Sequence, residues 1–263
     1  MLKPNRVKQA LRRGEPVIGT MMSEVRSPGF IWMLANAGFD FVFIDMEHGT
    51  YDLSIVADMI KVARLAEIVP LVRVPDLAYQ LVAQALDAGA MGVMLPRVET
   101  RAQVERLVSF MKYPPLGVRG ATVGRGHTDY GPAEPQELVS HMNEHTLVIL
   151  QIERAQAIAN IDELLAVPGV DAAVIGPFDL TISLGEQHVL APAVDDAIQR
   201  VVAAAQRHNV ASGIHIADST VVLEWYRRGM TMLACGSDLG FFNAGAQQTL
   251  AALRQGTGVK REA

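Results

Sequence analysis

Short apolar runs alternate along this chain with longer segments in which apolar residues recur every three or four positions. The runs read VIGTMM (17–22), FVFIDM (41–46), VPLVRV (69–74), GVMLPRV (92–98), LVILQIE (147–153), AAVIG (172–176), SGIHIA (212–217) and TMLACG (231–236). Runs of this length, rich in Val and Ile, predict strands buried on both faces, which belong to parallel sheets covered by helices. Between them, 53–66 places Leu53, Val56, Ala57, Ile60 and Ala63 on one helical face, and 100–112 does the same with Val104, Leu107, Val108 and Met111. Further helices are predicted over 27–37, 77–88, 155–166, 195–208, 219–228 and 244–254. Gly38, Gly89, Gly229 and Gly256 stand where a helix C-terminus favours a left-handed residue.

Eight strand–helix units in 263 residues describe an α/β fold, a single (β/α)8 TIM barrel, better than an open doubly wound sheet, which stays the alternative. One domain is expected over 1–263, with a C-terminal helix at about 240–255. The stretch YPPLGVRGATVGRGHTDYGPAEP (113–135) breaks the rhythm; it is rich in glycine and proline and has no period. A loop this long within a compact domain is expected to be functional or disordered.

The polar residues fall unevenly on this frame. Asp45, Glu47 and His48 follow the second run, Arg73 ends the third, Arg97 the fourth, and Gln151 and Glu153 the fifth. The sixth leads through Gly176 and Pro177 to Asp179, the seventh carries His215, and the eighth leads to Asp238. All lie at carboxyl ends of predicted strands, where barrel enzymes build their active sites. A lone Arg, Glu or His there is often a rim charge or a structural partner, so the convergence is the signal. Glu153 and Asp179, ending adjacent strands, would suit a hard divalent cation, which takes carboxylate oxygens and leaves positions for waters and substrate.

Half of the residues are hydrophobic, enough for a large core, and a net charge of −5 offers no footprint for nucleic acid or an anionic membrane. Neither partner is expected. Cys235 is the single cysteine, which excludes an intrachain disulfide and predicts a buried small hydrophobe. The N-terminal segment lacks the apolar stretch of a signal peptide and no 18-residue apolar span occurs, so a cytoplasmic protein is expected. None of the five lysines, Lys3, Lys8, Lys61, Lys112 and Lys260, lies at a predicted strand end, which argues against a Schiff base there. Dinucleotide and P-loop fingerprints are missing, and GVRGATVGRG, with Arg119 and Arg125, is only a weak phosphate-binding pattern.

Taken together and in order, FIDMEHG, PLVRV, ALDAGAMGVMLPRVET, PPLGVRG, ILQIER and VIGPFDLTISLG resemble the HpcH/HpaI aldolases, the metal-dependent class II pyruvate aldolases, over roughly residues 5–255. The resemblance implies a TIM barrel assembled as a homo-hexamer, a trimer of dimers. It also implies reversible retro-aldol cleavage of a 4-hydroxy-2-oxo acid to pyruvate and an aldehyde, with Mg²⁺, Mn²⁺ or Co²⁺ as cofactor. Motif by motif, it makes His48 the catalytic base, acting directly or through water, Arg73 the group that stabilises the enolate oxygen, and Asp87 the carboxylate that raises the basicity of His48. It assigns Glu153 and Asp179 to the metal, and Gln151, Gly176, Pro177, Phe178 and Asp179 to the substrate, the Phe178 backbone meeting the pyruvate carboxylate. Asp45 and Glu47 are expected to accept hydrogen bonds around the site.

Two stretches depart from the family pattern: ATVGRGHTDYG, after GVRG, and GIHIAD, where His215 stands in place of an apolar residue. Both are expected to face the aldehyde portion of the substrate, with Arg119, Arg125 and His215 as candidates for reading an anionic tail. Other metal-enolate reactions stay open: oxaloacetate decarboxylation, cleavage of an acyl-CoA, or macrophomate-synthase-like bond formation. A barrel that binds ligand without catalysis is the remaining reading. Arg73, as a residue of an exposed mouth, is expected to matter for activity more than for folding.

Overall fold

The computed structural model describes residues 2–258, so Lys260 lies outside the described residues. Eight parallel strands close into a barrel in chain order: β1 (Val17–Met22), β2 (Phe41–Asp45), β3 (Val69–Arg73), β4 (Gly92–Leu95), β5 (Leu147–Ile152), β6 (Ala172–Ile175), β7 (Ala211–Ile216) and β8 (Met232–Ser237). The open-sheet alternative is thereby excluded, since β8 pairs with β1 through Val17↔Met232 and Ile18↔Leu233.

Alternation along each strand divides the apolar residues into two cores. Val42, Ile44, Val72, Val93, Leu150, Ile175 and Ile214 face outward and pack under the helices. Phe41, Phe43, Leu71, Met94, Ile149, Val174 and Met232 face inward and fill the barrel. The ring of Phe41 occupies the place a side chain at position 19 would need: a Cβ on Gly19 would lie 2.3 Å from it. Phe41 meets Phe43 edge-on at 5.2 Å, so the lower lumen is solid and only the carboxyl end is free for polar groups.

The helices are α1 (Arg6–Arg12), α2 (Gly29–Ala37), α3 (Leu53–Leu65), α4 (Tyr79–Asp87), α5 (Arg101–Met111), α6 (Pro135–His145), α7 (Ala155–Ala159), α8 (Ile161–Leu165), α9 (Pro177–Ser183), α10 (Pro192–His208), α11 (Ser219–Arg227) and α12 (Asp238–Thr257). Their starts follow local chemistry. Asp52 accepts the Ser54 and Ile55 backbone N–H groups at the head of α3, and Thr100 and Gln103 form a reciprocal capping box on α5. Pro192 begins α10 three residues earlier than its apolar period suggests, because proline is already at a helical φ.

Several expectations need correction. The single helix expected over 155–166 is two short ones, broken at Asn160, whose side-chain amide donates to the Glu99 carbonyl at 2.8 Å. Gly256 lies inside α12, and Gly258 is the left-handed residue that ends it. Helices α1, α6 and α9 have no counterpart among the predicted ones, being short or poor in apolar period. Cys235 is only partly buried, its thiol 3.5 Å from the Ala217 carbonyl.

Candidate active site

The same alternation that fills the lumen with Phe43, Leu71, Ile149 and Gly213 puts the next inward positions at its mouth: Asp45, Arg73, Gln151 and His215. Asp45 and Arg73 are register partners on adjacent strands. Asp45 accepts from Arg73 through both oxygens, Nε at 2.8 Å and Nη2 at 2.6 Å, and also takes the Glu47 backbone N–H at 2.9 Å. Arg73 Nη1 donates to Gln151 at 3.3 Å and lies 3.3 Å from Glu47, while Glu47 is also 3.2 Å from Arg97 Nε. Burial opposes the charge on Arg73, but Asp45, then Glu47 and Glu153, outweigh it and hold its pKa above the usual range. The guanidinium is thus permanently charged and fixed in orientation by a bidentate carboxylate. Arg73 is buried, which corrects the expectation of an exposed residue that matters little to folding.

Glu153 follows β5 and is 2% exposed. Its Oε1 accepts the Arg97 backbone N–H at 2.8 Å, from a residue held at φ 55°, and its Oε2 accepts from the Gln151 amide. Gly176 leaves room for this pair, since a Cβ there would lie 2.7 Å from Glu153 Oε2 and 2.9 Å from Gln151 Nε2. Burial pushes the Glu153 carboxyl up to about 7; the Arg97 N–H opposes this, the charges of Glu47 and Asp179 add to it, and Arg73 opposes it. Asp179 is exposed in the first turn of α9. No side chain caps that helix, so the Phe178 and Asp179 backbone N–H groups are available to a ligand.

Around Glu153, four carboxyl groups (Asp45, Glu47, Glu153, Asp179) face two guanidiniums (Arg73, Arg97), an excess of two negative charges with Glu153 ionised and one with it protonated. Such an excess in a partly dry cavity is costly unless a cation joins it. Among the described residues, no three His, Cys, Asp or Glu side chains form a set that would hold a metal unaided. Two carboxylates supplemented by water and substrate oxygens are nonetheless a normal environment for a hard dication, and the charge balance fits one.

His48 is exposed beyond β2; its backbone N–H lies 3.4 Å from Asp45, and its ring bonds to no other described residue. Asp87 is not beside it. It ends α4, at the amino-terminal end of the barrel, where it accepts from Arg119 at 2.6 Å with His127 4.0 Å away. The glycine-rich segment is anchored at that same end: Asp129 pairs with Arg64 at the end of α3, and Gly126 packs on Ala88 so closely that a Cβ would lie 1.9 Å from its carbonyl oxygen. Within one chain this segment therefore faces away from the mouth, contrary to expectation, because α5 carries the chain to the far end before the loop begins. Asp238 is a structural group, accepting the Glu24 and Val25 backbone N–H groups at 2.9 and 2.7 Å and so tying β8 to the β1–α2 loop. The Arg97 N–H that serves Glu153 and the Gly236 carbonyl that lies 3.0 Å from His215 Nε2 were not legible in the sequence, since main-chain groups leave no residue-type signal.

Three comparisons agree with this fold. The sequence model of the HpcH/HpaI aldolase/citrate lyase family matches residues 21–244. The 5-keto-4-deoxy-D-glucarate aldolase of Escherichia coli O6:H1 is 33% identical over 93% of this chain and 95% of its own. The crystal structure of an HpcH/HpaI aldolase from Desulfitobacterium hafniense superposes with a TM-score of 0.92 at 32% identity, covering 96% of this chain and 97% of that one. A structure of an HpcH/HpaI aldolase/citrate lyase family protein from Burkholderia cenocepacia gives 0.89 at 32% identity, covering 95% and 99%.

Proposed function

The chain belongs to the HpcH/HpaI aldolase/citrate lyase family, and from that premise we propose how its residues divide the work. It is a carbon–carbon lyase that cleaves a 4-hydroxy-2-oxo acid by a retro-aldol reaction to pyruvate and an aldehyde. We assign Glu153 and Asp179 to a divalent cation, Mg²⁺, Mn²⁺ or Co²⁺, which when bound supplies electrophilic stabilisation of charge at the keto oxygen. Gln151 binds the substrate and the Phe178 backbone N–H meets its pyruvyl carboxylate, with Gly176 and Pro177 lining the turn that presents that N–H. His48 takes the proton of the C4 hydroxyl, the C3–C4 bond breaks, the aldehyde leaves, and its bonding pair passes to C3 and the keto oxygen as an enolate. Arg73, clamped by Asp45, meets that oxygen as its charge grows, which is where a fixed donor lowers the barrier. Protonation at C3 then releases pyruvate.

Asp87 sits at the other end of the barrel from His48, so its role as partner to that base requires a neighbouring copy. We therefore place the complete site between subunits of a homo-hexamer, a trimer of dimers. The exposed face of α12, with Phe242 and Leu253, is available for such packing. No described helix is long and apolar enough to cross a membrane, and a cytoplasmic location is part of the same proposal.

The single observation that carries the metal assignment is the surplus of carboxyl groups over guanidiniums around Glu153, whose own carboxyl is pushed up to about 7. The test is pyruvate release from 4-hydroxy-2-oxo acids by the purified protein with Mg²⁺ or Mn²⁺, before and after chelation, alongside calorimetric titration of Mn²⁺ into Glu153→Gln. Cleavage indifferent to chelator, or unchanged Mn²⁺ affinity in the variant, would sink the metal assignment. Rapid oxaloacetate breakdown with no aldol product would move the chain to the decarboxylase reading.

A further inference from the structure

His215 is the inward residue of β7 at the level of Arg73 and Gln151, and nothing in the mechanism above uses it. The inward residues beneath it on the same strand are Gly213 and Ala211, so the ring stands over small neighbours at the edge of the mouth and remains partly accessible. Strand alternation puts it in the same inward layer as Arg73 and Asp45, and the charges of both act on it.

Its hydrogen bond settles which nitrogen carries the proton. Nε2 lies 3.0 Å from the Gly236 carbonyl oxygen, which also accepts from Thr20 Oγ1 at 3.2 Å. A carbonyl only accepts, so Nε2 carries the hydrogen, and in the neutral ring Nδ1 is a lone-pair acceptor. The turn that presents this carbonyl depends on Gly236, at φ 68°, where a Cβ would meet the Phe241 ring at 2.7 Å. Burial, with Arg73 adding to it, holds the imidazole pKa below its usual range despite the opposing carbonyl. No described residue donates to Nδ1. An unprotonated acceptor suits a hydroxyl better than a carboxylate, which favours a hydroxyl over an anionic tail as the partner of this ring.

Resting on the aldolase reading, we propose that His215 determines acceptor specificity: its Nδ1 accepts a hydrogen bond from a hydroxyl on the aldehyde-derived part of the substrate, so hydroxylated aldehydes are preferred over alkyl aldehydes of equal length. A site built to bond a hydroxyl discriminates against the analogue that lacks it, because its own polar group is then left without a partner.

The test uses the metal-loaded enzyme in the synthetic direction, with pyruvate and the matched pair glyceraldehyde and propanal. In His215→Leu, kcat/KM for glyceraldehyde falls about tenfold while propanal stays within about twofold, the scale of one hydrogen bond. His215→Asn, whose amide oxygen can stand where Nδ1 stood, recovers most of the glyceraldehyde rate. Exchange of the pyruvate C3 protons with deuterated solvent, which needs no aldehyde, is unchanged in both variants. Equal loss on the two aldehydes, an unchanged ratio, or loss of C3 exchange would each overturn the assignment. A wild-type enzyme that neither exchanges C3 protons nor joins any aldehyde would overturn the aldolase reading itself, and His215 would fall with it.

Discussion

The two ends of this barrel carry opposite electrostatic imbalances. At the carboxyl mouth, carboxylates outnumber guanidiniums, and the Glu153 carboxyl is pushed up to about 7 by burial with help from Glu47 and Asp179. At the amino end, Lys8 and Lys112 are both buried and both donate to the Thr146 carbonyl, at 2.9 and 3.0 Å, with Asp171 as their nearby acid. There Lys112 is pulled down to about 7 by burial and by Lys8. The amino-end excess is absorbed internally, since Lys112 also reaches the Asn143 carbonyl at 2.7 Å and has little need of a ligand. At the mouth, Arg73, Gln151 and the Glu47 and Arg97 backbone N–H groups serve Asp45 and Glu153, while Asp179 accepts from no described residue. The same physical cost is thus met by main-chain carbonyls at one end and, on the proposed reading, by a divalent cation at the other.

The largest effect expected from breaking this contrast is at Arg73. Arg73→Lys keeps the charge but loses the bidentate clamp, and should lower kcat by roughly a hundredfold or more, as loss of one oxyanion donor does. Arg73→Ala should add a stability loss of about 3–5 kcal/mol by stranding Asp45, read as a shifted denaturation midpoint. An alanine variant as stable as the wild type would show that Asp45 is not held as described.

A second experiment asks whether the two ends meet between copies. His48→Ala and Asp87→Asn are each expected to be inactive, yet co-expressed mixtures should regain about a quarter of wild-type activity if each site draws the two residues from different subunits. No recovery above the two variants alone would confine the site to one chain and leave Asp87 a structural partner of Arg119.

Smaller changes in stability distinguish the ends further. Saturating Mn²⁺ should raise the melting temperature of the wild type by several degrees and that of Glu153→Gln hardly at all, because only a native-state ligand stabilises. For Lys112, the folded pKa near 7 lies below the unfolded value of 10.5, so between those pH values the unfolded chain binds more protons. Stability from this group therefore rises as pH increases from about 7 to 10.5, by at most a few kcal/mol. Lys112→Met should flatten that rise in denaturation midpoints taken at pH 7 and 9.5; an equal slope in the variant would locate the pH dependence elsewhere.

The strands were legible because each is a continuous apolar run, and β1 over Val17–Met22 coincides with its run residue for residue. Helix α6 was not, because Pro135–His145 buries only Leu138 and so shows no apolar period. The break at Asn160 was hidden for a related reason: apolar spacing continues across it, while the interruption comes from a bond to the distant Glu99 carbonyl.

By itself, then, the order of apolar and polar residues determined the (β/α)8 architecture and which end of it carries the chemistry, since burial acts on every strand in the same way and leaves polar groups only where packing stops. Tertiary structure decided which of those polar groups act together. Arg73 is locked by Asp45 from the neighbouring strand, Asp238 is consumed in bracing a loop, Asp87 is carried to the far end by α4, and the His215 tautomer is set by a carbonyl on β8. Those outcomes depend on hydrogen bonds between positions 21 to 215 residues apart, a relation that neither periodicity nor composition encodes.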